Sequence, residues 1–202
     1  MIRYAVWAVP WGLVGLVCAA VAALMAVTAA QPETLWPLQG MAVGLLVAAA
    51  AWSMDERGAA VVDTLPRSLA WRTTARAAAA LPLAAAWIAA VVLAGDRLPD
   101  HPALFVHQGL AALLVGVAVA TWRRHRGEAV PGRAIAPAAL GLVATLALVR
   151  PFSDRVPLFP LWEGEPWRLS AVLWWGLTVA AAALLCWSLA APPGVQTARR
   201  SR

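Results

Sequence analysis

The chain of 202 residues contains no lysine; all 16 basic residues are arginine. This is what a GC-rich genome produces, and the abundant alanine agrees. It also has a chemical consequence. Without lysine there is no P-loop, no Schiff base and no lysine general base. Charge of any kind is scarce, at 13% of residues, and no Asp or Glu falls inside an apolar stretch. Proton-coupled carriers and intramembrane proteases need buried ionisable groups, so those classes are disfavoured. There is no HExxH and no nucleophile–base–acid set, so no enzymatic role is expected. Only two cysteines occur, Cys18 and Cys186, both in apolar runs. They read as buried thiols packing like small hydrophobes, not as a disulfide. The three histidines, His101, His107 and His125, lack the spacing of a metal or haem site.

What is present is apolar. Hydrophobic residues make up 62% of the chain, which places it in the membrane class. The net charge of +6 reflects arginines flanking spans rather than a nucleic-acid surface. A span needs about 20 apolar residues. The stretches between charges predict an all-α polytopic protein with six transmembrane helices, at about 5–30, 35–54, 77–95, 103–122, 134–150 and 170–191; five spans with a re-entrant segment is the alternative. Residues 1–191 form one transmembrane domain, and 192–202 a flexible basic tail. The first apolar run is too long for a signal-peptide core and is expected to be retained.

Arginine counts orient the spans. One face collects Arg3, Arg57, Arg67, Arg72, Arg76, Arg123, Arg124, Arg126, Arg133, Arg199, Arg200 and Arg202; the other has Arg97, Arg150, Arg155 and Arg168. The first face is expected to be cytoplasmic, with both termini on it. Most of the 12 tryptophans lie near span ends, as an aromatic belt requires. Trp87, Trp174 and Trp175 lie deeper, where they line a cavity or simply pack. His107 and Gln108, within the fourth span, are polar groups at depth, which face a partner helix, a cavity or a wet interface. Together His107, Gln108, Trp174 and Trp175 are the candidate substrate path. Small-xxx-small patterns are so common in this alanine-rich chain that they discriminate little.

The longest charged insert runs from Asp55 to Arg76. Val61, Val62, Leu65 and Leu69 recur at helical spacing, and Pro66 marks a break between two short pieces. The insert is therefore predicted to hold a short amphipathic helix between spans two and three. Such a helix either lies on the headgroups or docks on a cytoplasmic partner. Two spans, an acidic start, Gly58, a Val-Val-Asp-Thr-Leu-Pro-Arg-Ser segment and arginines entering the third span follow in order.

That order resembles the permeases of type-2 ABC (ATP-binding cassette) exporters, whose corresponding loop forms a coupling helix. The resemblance covers about 20 residues. It implies a permease subunit in the cell membrane, paired with a second copy or a sister permease. It also implies a separate nucleotide-binding ATPase that carries the ATP and Mg, since no cofactor belongs to this chain. The implied contact is Glu56, Gly58, Val61, Val62, Asp63, Leu65, Pro66, Arg67, Leu69 and Arg72. The chain departs from the family in the short, proline-rich stretch Pro151–Ser170, where family members carry a longer re-entrant pair. Other readings are a small substrate-binding or accessory subunit of another transporter, and a membrane assembly factor without transport activity.

Overall fold

The computed structural model describes residues 7–31, 34–56, 68–98, 101–149, 156–160 and 166–190. Every regular element among them is helical: α1 (Trp11–Ala30), α2 (Leu35–Ser53), α3 (Leu69–Ala77), α4 (Ala80–Ala94), a 3₁₀ turn (Gly95–Arg97), α5 (Pro102–His125), α6 (Gly132–Val149) and α7 (Trp167–Ala190). Five helical stretches are long and apolar enough to cross a membrane: Trp11–Ala30, Leu69–Ala94, Pro102–His125, Gly132–Val149 and Trp167–Ala190. Together they make this a multi-pass membrane protein. The first piece of the predicted insert helix, with Gly58, Val61, Val62, Asp63, Leu65, Pro66 and Arg67, lies outside the described residues, as does the basic tail.

The helix ends follow from local chemistry. Ser68 caps α3, its hydroxyl accepting from the Trp71 amide at 3.2 Å. Pro102 occupies the first turn of α5, where its missing N–H costs nothing. Gly95 ends α4 at φ 49°, a conformation side chains resist. The α3–α4 stretch starts earlier than expected, at Leu69 rather than Ala77. Hydropathy alone could not show this, because Arg72 and Arg76 interrupt the apolar run.

α2 and α5 form the centre of the bundle. α2 packs on α1, α5 and α6; α5 packs on α2, α4 and α7. The approach is close because small residues face inward. An added Cβ at Gly40 would lie 2.3 Å from the Ala147 Cβ, and one at Gly116 would lie 2.5 Å from the Val47 carbonyl oxygen. Trp87 is fully buried on bare Gly109, and its indole N–H donates to the Phe105 carbonyl at 2.9 Å. Packing is thus the role of Trp87. The outer faces of α1, α6 and α7 expose Leu16, Leu142 and Val172, as lipid-facing or subunit-facing surfaces do.

Candidate functional site

α3 is amphipathic in an unusual sense: its arginines face inward. Arg72 and Arg76 are buried while Thr74 is exposed. What they meet is Glu56, three residues past the end of α2 and only 2% exposed. A carboxylate at that depth requires compensating charge. Glu56 Oε2 accepts from Arg72 Nη1 at 3.1 Å and from Arg124 Nη2; Oε1 lies 3.8 Å from Arg76 Nη2. The Glu56 amide donates to the Ala129 carbonyl at 3.2 Å, and Arg124 Nη1 reaches the same oxygen at 3.4 Å. The Glu56 carboxylate therefore ties together the end of α2, α3 and the last turn of α5, and its amide adds the loop entering α6.

Arg76 extends this junction toward the chain's start. Its Nη1 donates to the carbonyls of Ala8 at 3.0 Å, Ser53 at 3.3 Å and Asp55. Asp55 Oδ1 accepts from the Gly132 amide at 2.6 Å. This carboxylate caps α6 from another segment, where the helix dipole favours negative charge. Burial pushes the Asp55 carboxyl above the usual carboxylate range; the Gly132 hydrogen bond and then Arg133 and Arg76 oppose that shift. Beside these groups, Trp7, Ala8, Val9, Pro10, Trp52, Asp55 and Arg76 line a half-open cavity of about 280 Å³.

Of the expected contact residues that are described, Glu56 and Arg72 are brought together and face inward, while Leu69 is half-buried at the start of α3. The candidate substrate path divides in two. Gln108 is fully buried; its amide donates to the Leu158 carbonyl at 3.3 Å and its side-chain oxygen accepts from Gln39. The same Leu158 carbonyl accepts from Ser170 Oγ at 3.2 Å and Trp174 Nε1 at 2.9 Å. This holds the non-helical segment 156–160 against the end of the bundle, with Pro157, Phe159 and Pro160 buried. His107 and Trp175 instead stack on each other at 4.1 Å, and Trp175 is 59% exposed. All three histidines lie against tryptophans of α7: His101 on Trp167, His107 on Trp175 and His125 on Trp187. Trp167 is buried in that contact rather than set in an exposed belt; Trp7, Trp11, Trp52 and Trp187 are exposed.

Gln39 and the inward glycines escaped the sequence reading. Gly40 and Gly44 stand in GxxxG spacing, a signal that was present but hidden among many alanine patterns. Among the described residues, no three His, Cys, Asp or Glu groups converge as metal ligands. Compared with protein-family models, curated proteins and solved structures, the chain has no match.

Proposed function

We propose that this chain is the permease subunit of an ABC exporter. In this reading it crosses the plasma membrane six times with both termini in the cytosol, α2 supplying the sixth span. A separate ATPase chain binds ATP and Mg, and a second copy or sister permease completes the path.

What supports the reading most is the anchoring of the insert. Residues 57–67 are bounded by Glu56 on one side and by α3 on the other, and both boundaries join in one buried ion cluster. α3 leads within two residues into α4, so a force on the insert is delivered directly to a span. Through Glu56 it also reaches α2, and through Arg124 it reaches α5. Removing one member of a buried ion pair typically costs about 3–5 kcal/mol, because a buried charge is left uncompensated, so these segments stay joined as they move. Leu65 and Pro66 would then meet the ATPase, while Glu56, Arg72, Arg76 and Arg124 transmit the motion.

The test is copurification of this chain from its native membrane with a nucleotide-binding ATPase. Replacing Leu65 by Asp and Pro66 by Gly should abolish the association. Continued association of that variant would overturn the assignment. Glu56→Gln should keep ATPase association yet lose substrate-dependent stimulation of ATP hydrolysis, since the contact survives and the transmission does not.

A further inference from the structure

The cavity between the start of α1 and the end of α2 has the composition of a lipid headgroup site. Trp52 occupies the last turn of α2 and Trp7 lies just before α1; they are 37% and 89% exposed. Indole rings in such positions settle at headgroup depth. The volume, about 280 Å³, is small for a drug-sized molecule and suited to a compact polar group.

Its polar walls carry opposite charges. Asp55 lines it with a carboxylate that gives Oδ1 to Gly132; among the described residues, no other donor reaches that carboxylate. A carboxylate accepts about four hydrogen bonds, so capacity remains. Arg76 lines the same cavity and is 8% exposed; its Nη1 donates to three backbone carbonyls and its charge faces Glu56 only at 3.8 Å. An anionic ligand would be drawn to the Arg76 charge and repelled by Asp55. A simple cation would do the reverse. A zwitterion satisfies both.

We propose that this cavity binds the headgroup of phosphatidylethanolamine, its ammonium on Asp55 between the Trp7 and Trp52 rings and its phosphate toward Arg76. The primary ammonium matters because it donates hydrogen bonds to a carboxylate, which a quaternary choline cannot do. Phosphatidylglycerol has no cation to offer Asp55. The proposal requires membrane insertion but is independent of the transport reading.

The test is native mass spectrometry of the purified chain after exchange into micelles holding equal amounts of phosphatidylethanolamine, phosphatidylcholine and phosphatidylglycerol. Phosphatidylethanolamine adducts should exceed either competitor by about tenfold, a factor within reach of one charge-assisted hydrogen bond. Asp55→Asn should erase that preference. It keeps an oxygen for the Gly132 amide, so its unfolding temperature should hold. Trp52→Ala should weaken retention of phosphatidylethanolamine. Equal retention of the three lipids, dominance of phosphatidylglycerol, or an undiminished preference in Asp55→Asn would each overturn the proposal. If Asp55→Asn fails to fold, the ranking of lipids on the unaltered chain decides alone.

Discussion

Glu56 shows how far one residue's role depends on depth. In sequence it is an acidic residue in a charged loop. In the fold it is 2% exposed and compensated by Arg72, Arg76 and Arg124. Glu56→Ala would leave buried guanidinium charge behind and should cost about 3–5 kcal/mol, read as an early unfolding transition in detergent. An unchanged transition would show that water, not Glu56, solvates the cluster. Asp55 behaves oppositely. Its folded carboxyl is held above its unfolded value, so the folded chain binds the proton more tightly. The resulting penalty is present at neutral pH and fades as pH falls through the folded value to below about 4. Asp55→Asn should therefore be at least as stable as the natural chain at pH 7, with the gap closing on acidification. A less stable variant at pH 7 would mean that the carboxylate's charge on the α6 dipole outweighs its desolvation.

Among the elements, α2 is held by what it lacks. Gly40 and Gly44 let α6 approach, and Gly116 lets α5 approach. Gly40→Val pushes a branched side chain into Ala147 and should cost about 1–3 kcal/mol, the usual range for overpacking. Gly141→Val, where nothing lies within 4 Å, is the control and should cost far less. Equal melting temperatures for the two would contradict this close packing. The Gln39–Gln108 pair joins α2 to α5 in the same apolar setting. Gln39→Leu alone leaves Gln108 short of a partner and should destabilise, whereas replacing both by Leu should recover part of the loss, because the buried polar cost leaves with the pair. Helix existence was legible throughout, since long uncharged runs admit no other membrane structure. The start at Leu69 was not. It depends on Arg72 and Arg76 finding a carboxylate on another segment, and periodicity carries no record of partners.

At the scale of the molecule, arginines gather at one end: Arg72, Arg76 and Arg124 meet around Glu56, with Arg123 on the last turn of α5 and Arg126 just past its end. His101 precedes the opposite end of α5. In a cysteine-free background, Arg126→Cys should react with an impermeant thiol reagent only in inside-out vesicles, and His101→Cys only in right-side-out cells. Labelling of both from one side would show that α5 does not cross, and reversed labelling would refute the proposed orientation. The sequence by itself determined that this is a helical membrane chain without lysine chemistry, because bilayer solvation acts on each stretch locally and composition reports it. Only the tertiary structure decided which residues meet. Glu56 meets three arginines, one of them 68 residues away, and Asp55 caps a helix 77 residues away. Such meetings depend on how helices pack, and packing is set by shape at distant positions that no local pattern records.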